Sequence, residues 1–199
     1  MPDPLLHPLL SAIAAGDDAA ADAAVHQLAQ RGPEAYPALV DLYASPDPDR
    51  RWWAVRGLAA LAEAEESCRE HAIPALAEAM ADADEAVRCA AALAMGRLQA
   101  ASAIPSLILL LADPSGWVRG AAADALAMMG ETALPALGEA IQDPREGVRV
   151  RAAYALRKIC SPKSARWLFP ALNDPNPLVH TYAYETLDQL GLLNNILLM

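Results

Sequence analysis

Apolar positions along the chain recur in two alternating registers. In the segment that opens at Asp113, the positions Val118, Ala121, Ala122, Ala125, Leu126 and Met129 follow in steps of three, one, three, one and three. That spacing puts all six on one face of an α-helix. The segment opening at Asp143 repeats it with Val148, Arg151, Ala152, Ala155, Leu156 and Ile159, where only Arg151 is polar. We name this element helix A. A shorter pattern precedes the first helix A and follows each of the first four: AYPALVDLY, AIPALAEAM, AIPSLILLL, ALPALGEAI and SARWLFPAL. Pro37, Pro74, Pro105 and Pro135 share an aligned position in the first four, with Leu39, Leu76, Leu107 and Leu137 two residues later. Proline is tolerated in a first helical turn, so each segment reads as the start of a second helix, B.

Aligning the chain with itself superposes five helix A segments, opening at Ser45, Asp82, Asp113, Asp143 and Asp174. The last three intervals are 31, 30 and 31 residues; the first is 37, with the excess in AEAEESCREHA, read as a loop. Each segment opens with Asp or Ser, usually followed by Pro, which reads as an N-cap and a first-turn proline. Gly57, Ala94, Ala125 and Ala155 keep helix A slim enough for close neighbours. One such pair has no two-sided core, so stability must come from stacking on adjacent pairs.

The expected fold is all-α: a right-handed α-solenoid (superhelix) of tandem antiparallel helix pairs, forming one domain over residues 1–199. Residues 1–31 supply two N-terminal capping helices, 4–15 and 17–31, the second capped by Asp17 or Asp18. Residues 32–191 hold the helix-pair repeats, Gly191 ends the last helix A, and 192–199 form an apolar tail. That tail is expected to cap the last repeat or to bind another chain.

Composition narrows the function. Hydrophobic residues reach 55% with only 5% aromatic, so Ala and Leu dominate and favour helix over strand. The formal charge is −10, from 15 basic and 25 acidic side chains, a balance opposite to that of proteins that neutralise phosphates or anionic membranes. No nucleic acid or membrane partner is expected. Cys68, Cys89 and Cys160 form no C-x-x-C pair, so they read as core residues or thiols of a reducing compartment. MPDPLLHPLL lacks the features of a signal peptide and no run of about 18 apolar residues occurs; a cytoplasmic location is the expectation. His7, His26, His71 and His180 are isolated, and neither H-E-x-x-H nor a glycine-rich phosphate loop is present. No catalytic, cofactor or metal residue is therefore assigned.

The segments VRCAAALAMGRL and AIPSLILLL resemble HEAT repeats, in particular the short type named for phycobilisome lyases: an Asp-Pro start, Val-Arg, an Ala-rich helix, then Ile-Pro-x-Leu. The resemblance covers residues 32 to about 191. It implies a structural ladder in which Arg51, Arg88, Arg119 and Arg149 pair with Asp82, Asp113, Asp143 and Asp174; an anion-binding row is the alternative. His180 takes the arginine position in the last unit. Iron-dependent hydroxylases built from such repeats carry His-Glu ligands, whereas residues 70 and 71 here run Glu-His.

The resemblance also implies that helix B lines a concave face. Its outward positions align as Asp41, Glu78, Leu109, Glu139 and Pro170, preceded by Val40, Ala77, Ile108, Gly138 and Phe169. An acidic surface with an apolar centre at Ile108 and Leu109 follows, turning aromatic at Trp167 and Phe169. Pro170 is expected to kink the last helix B. Trp53 aligns with core-facing Ala90 and Ala121; Trp52 aligns with Cys89 and Gly120 and is the more outward of the two, beside Arg56. The candidate partner-binding set is Trp52, Glu78, Ile108, Leu109, Glu139, Trp167 and Phe169. The expected function is a non-catalytic protein-binding or scaffold module. The alternative is a bilin lyase or chaperone, with Trp52, Trp53, Arg56 and Tyr154 lining a tetrapyrrole pocket. Recognition of DNA lesions would need a basic inner face and is disfavoured.

Overall fold

A computed structural model describes residues 3–193, among which lie twelve α-helices and no β-strand. The chain divides into two compact units, Met1–Leu98 and Gln99–Met199. The first holds α1 (His7–Ala15), α2 (Asp18–Gln30), α3 (Tyr36–Tyr43), α4 (Pro48–Ala64), α5 (Glu66–Ala79) and α6 (Glu85–Arg97). The second holds α7 (Ile104–Leu110), α8 (Gly116–Met128), α9 (Leu134–Ala140), α10 (Glu146–Ile159), α11 (Ala165–Ala171) and α12 (Pro177–Gln189).

Each unit is two layers of helices. In the first, α2, α4 and α6 pack side by side as A helices while α3 and α5 cover them as B helices, and α1 leans on α2. In the second, α8, α10 and α12 form the A layer and α7, α9 and α11 the B layer. The interface between layers is built from the two repeating sets. Leu39, Leu76, Leu107, Leu137 and Leu168 of the B helices are all fully buried, as are Ala91, Ala122, Ala152 and Ala183 of the A helices. Full burial of a leucine side chain is worth about 1.5–3 kcal/mol, and the alanines opposite bring the helix backbones close enough to collect it. Gly57 of α4 shows how close: a Cβ there would collide with the Leu39 methyl groups of α3.

The helix starts differ from the sequence expectation. The unit-opening aspartate is not the N-cap; the caps stand two residues later, at Asp84, Ser115, Arg145 and Asn176. The opening carboxylate instead accepts the backbone N–H of that cap residue at 2.8 Å in Asp82, Asp113, Asp143 and Asp174. This is an Asx-turn, which bends the chain out of helix B before helix A begins. AEAEESCREHA also departs from expectation, because it is not a loop. It extends α4 to 17 residues and α5 to 14, with a single extended residue, Glu65, between them. The longer α5 leaves Pro74 inside a helix, whereas Pro37, Pro105 and Pro135 stand in first turns. Pro170 is the next-to-last residue of the seven-residue α11, so its missing N–H falls in the final turn rather than mid-helix.

At the chain's start, a short 3-10 turn over Pro4–Leu6 leads into α1, and Asp17 caps α2 by accepting the Ala20 N–H at 2.9 Å. At the other end Gly191, with φ +70°, closes α12. There the N–H of Leu192 bonds the carbonyl of Leu187 at 2.9 Å. The tail expected at 192–199 lies outside the described residues from 194 onward.

Arginines tie the turns together. Nη1 of Arg51, Arg88, Arg119 and Arg149 each donates to two successive carbonyls at the opening of its own unit, at 2.7–3.3 Å. Arg51 also forms a two-pronged pair with Asp82 of the next unit (2.9 and 2.9 Å), and Arg149 does so with Asp174 (2.7 and 3.2 Å). Asp143 interrupts the row: its carboxylate is held by Arg145, two residues on, at 2.8 and 2.9 Å. Among the described residues Arg119 accordingly bonds the carbonyls of Asp113 and Pro114 but not the Asp143 carboxylate.

Burial pushes the Asp82 and Asp174 carboxyls up. The guanidinium bonds and the backbone N–H of Asp84 and Asn176 outweigh it, leaving both below the ordinary carboxylate range. The Arg145 bonds, against a smaller burial effect, take Asp143 down to about 2. Groups depressed in the folded chain stabilise it fully above their unfolded value of about 4 and lose that contribution as pH falls through the folded values. Unfolding midpoints should therefore fall between about pH 5 and about pH 2. Asp82→Asn and Asp174→Asn should each cost about 2 kcal/mol at neutral pH and flatten that acid dependence. Thermal denaturation across this pH range checks both; variants as acid-sensitive as the parent would contradict the pairing.

Candidate partner-binding face on the B helices

The second unit sets α7, α9 and α11 side by side, so residues at one repeat position share a face. Leu109, Glu139 and Pro170 occupy such a position and all three are exposed; Leu109 stands 72% open to solvent. One residue earlier, Ile108 is half-buried, Gly138 is buried and Phe169 is 36% exposed. The opposite side of each helix is committed to the core through Leu107, Leu137 and Leu168, which forces these residues outward. α7 has no polar residue in its last turn to balance this, because its sequence from Leu107 to Leu110 is wholly aliphatic.

Trp167 is half-buried, and the reason is Gly138. The indole lies flat in the space that a side chain on α9 would fill; a Cβ at Gly138 would overlap three atoms of the ring. The guanidinium of Arg166 covers the indole at 3.8 Å from its centroid, a cation–π contact that fixes the rim of the face. Glu139 beside it makes no ion pair among the described residues, and Gln142 bonds the Gly138 carbonyl at 3.1 Å. The face thus consists of two open apolar side chains, Leu109 and Phe169, an aromatic shelf and one carboxylate.

The remaining candidates lie elsewhere. Glu78 is exposed at the corresponding position of α5, in the first unit. Trp52 belongs to an A helix, α4, where it is half-buried and meets core residue Trp53 edge-on at 4.8 Å between ring centroids. Arg56 covers both rings and pairs with Asp22 of α2. Tyr154, grouped with these by the tetrapyrrole reading, is in the second unit and donates to Asp124 at 3.2 Å. That carboxylate also holds Lys158 at 2.9 Å.

The largest exposed aromatic was not singled out from the sequence. Trp117, in the first turn of α8, is 80% exposed. The repeat alignment carried the signal: the same position holds Asp49, Ala86, Gly147 and Leu178, residues that no core requires. Among the described residues no helix is long and apolar enough to cross a membrane.

Tandem pairs of short helices, layered A against B and joined by Asx-turns, define the class of helical repeat proteins that build α-solenoids. Within it, a family model of HEAT repeats matches residues 59–127, 73–157 and 134–194, more than half of the chain. The protein belongs to the HEAT repeat family. No curated protein matches it. Solved structures similar to it include the CpcE–CpcF complex of phycocyanin lyase from Nostoc sp. PCC7120. That likeness has 27% identity and a TM-score of 0.53, over 78% of this chain and 64% of that one. YibA of Escherichia coli is similar at 21% identity and a TM-score of 0.60, over 90% of this chain and 68% of that one. A designed armadillo repeat protein in complex with the peptide (KR)4 is similar at 21% identity and a TM-score of 0.50, over 92% and 97%. The last two likenesses concern fold alone.

Because Trp167 rests on bare backbone, Gly138→Ala should destabilise the protein by about 1–3 kcal/mol through overpacking. Adding Trp167→Leu should recover part of that loss, a coupling that a double-mutant cycle in urea measures. Additive losses would show that the indole does not depend on the glycine.

Proposed function

We propose that this protein is a non-catalytic interaction module that holds a protein partner against the B-helix face of its second unit. The observation that carries the reading is Leu109, an aliphatic side chain 72% exposed in the last turn of α7, within the aliphatic run Leu107–Leu110. An open leucine on α7 and a partly open phenylalanine on α11, on either side of α9, are costly to leave in water, and binding hot spots combine such apolar anchors with a few polar neighbours. Glu139 and the Arg166–Trp167 pair supply those neighbours, and with them the register of a partner segment. Membership of a repeat family whose surfaces vary while the core stays constant supports the same reading.

Tagged protein recovered from its native lysate should retain a stoichiometric protein partner. Leu109→Asp should abolish the retention, and Glu139→Lys should weaken it by about tenfold or more. Both residues are exposed, so the variants should keep the parent's circular dichroism and melting temperature. Retention unchanged in both variants would remove the face from consideration.

A second reading rests on the 27% identity with the phycocyanin lyase pair: the chain would handle an open-chain tetrapyrrole. The surroundings of Trp52 and Trp53 argue against it, since Arg56 is already paired with Asp22 and the adjoining cleft is lined by Asp18, Asp49 and Asp84. Those carboxylates would repel the propionates of a bilin. Titration with phycocyanobilin should give no shift of its visible absorbance; a saturable shift would favour the lyase-type reading.

A further inference from the structure

The negative charge of the chain is confined almost wholly to one half. Met1–Leu98 carries 16 acidic and 7 basic side chains, Gln99–Met199 only 9 and 8. Within the acidic half lies a cleft of about 290 Å³, set among the N-terminal ends of α2, α4 and α6. Its walls include Trp52, Trp53, Ile13 and the carboxylates of Asp18, Asp49 and Asp84. We infer that this cleft binds a cationic side chain, lysine or arginine, of a basic protein segment. It is separate from the B-helix face of the second unit and does not depend on it.

Three features fit this ligand. The aromatic wall accepts cations: the Arg56 guanidinium already lies 5.0 Å and 5.2 Å from the Trp52 and Trp53 ring centroids, the geometry of a cation–π contact. The arginines of α4 do not neutralise the cleft, because each is engaged elsewhere. Arg50 pairs with Asp47 at 3.5 Å, Arg51 with Asp82 at 2.9 Å and Arg56 with Asp22. Asp18 and Asp49, both exposed, have no ion-pair partner among the described residues. Asp84 spends one carboxylate oxygen on the amides of Ala86 and Val87, at 2.9 and 3.3 Å, and keeps the other.

Helix N-termini attract anions, so the competing ligand must be weighed. Three termini contribute roughly +0.5 charge each, about half of what the three wall carboxylates contribute with opposite sign. The balance at the cleft stays negative, and the surplus of acidic groups in this unit reinforces it. An anion is repelled; a lysine or arginine chain can lay its methylenes on the indole and its charge among the carboxylates.

Fluorescence anisotropy with a fluorescein-labelled octalysine peptide and the full chain, at low fixed ionic strength, tests this. Saturable one-to-one binding is expected, weakened about tenfold by Trp52→Ala and by the pair Asp18→Asn with Asp49→Asn. Glu78→Gln, which removes an exposed carboxylate of the same unit away from the cleft, should change affinity by less than about twofold. Leu109→Asp should leave it unchanged, so failure of the cleft and failure of the B-helix face read out separately. Should Trp52→Ala unfold the chain, the two surface Asp→Asn changes decide alone. Absence of saturable binding, or an equal loss from Glu78→Gln and the Asp pair, overturns the proposal, the latter by showing diffuse attraction in place of a site.

Discussion

A helix of seven residues does not hold together in water. Nucleating its first turn fixes several residues for one hydrogen bond, and isolated helices below a dozen or so residues are marginal even with favourable sequences. α7, α9 and α11 are all of that length. They exist because Leu107, Leu137 and Leu168 are fully buried against the A layer, so each helix borrows its stability from its neighbours. Periodicity is the consequence: every unit must present the same apolar positions to the next, which explains why Val87, Val118, Val148 and Val179 recur and are all buried. What the constraint leaves free is the outward side of each B helix and the first turn of each A helix. Leu109, Glu139 and Phe169 lie on the first of these, Asp49 and Trp117 on the second.

In Asp82 and Asp174 the opening carboxylate does two jobs with two oxygens. In Asp82, Oδ1 closes the Asx-turn onto Asp84 and also accepts from Arg51, while Oδ2 takes the second Arg51 bond and the Tyr43 hydroxyl at 3.3 Å. The turn and the tie to the preceding unit therefore form or fail together. Burial, and then the charge of Asp82, push the Tyr43 hydroxyl up to about 12, so it remains a donor throughout the ordinary pH range. Asp143 shows what the arrangement requires. With arginine at the cap position, the carboxylate finds a partner two residues away and the lateral tie from Arg119 is replaced by a local one. A cap residue without positive charge, such as Asp84 or Asn176, leaves the carboxylate to the neighbouring unit.

Most of the fold was legible because one-face periodicity is a property of a single segment. The burial of Leu39, Leu76, Leu107 and Leu137 follows from their spacing, as does the exposure of Leu109 and Glu139 at the opposite side of the same helices. The two misplacements come from competition between local preferences. AEAEESCREHA interrupts the repeat spacing, which suggests a loop, yet Ala, Glu and Arg are strong helix formers. With no glycine or proline to stop them, the surplus residues lengthened both flanking helices. An aspartate followed by proline satisfies the N-cap pattern, but the same carboxylate closes an Asx-turn one step earlier and the cap passes to the next polar residue. The seating of Trp167 on Gly138 was illegible for a different reason: it joins two repeats, and no periodicity within one of them encodes it.

The candidate surfaces differ in the physics that would drive them. The B-helix face of the second unit sits on a half whose acidic and basic groups nearly balance, 9 against 8. Attraction there must come from covering Leu109 and Phe169, a term that salt screens little. The Trp52 cleft sits in a half with 16 acidic and 7 basic groups, where long-range attraction gathers cations before any contact is made and fades within a Debye length as salt rises. A repeat protein can separate these functions because its core positions repeat while its outward positions do not, so charge can accumulate on one stretch of the chain without changing a buried residue. The arginines that could have cancelled it on α4 are held by Asp22, Asp47 and Asp82. The ion pairs that stabilise the first unit therefore also leave Asp18 and Asp49 uncompensated, and structural pairing and an open acidic cleft follow from one allocation of charge.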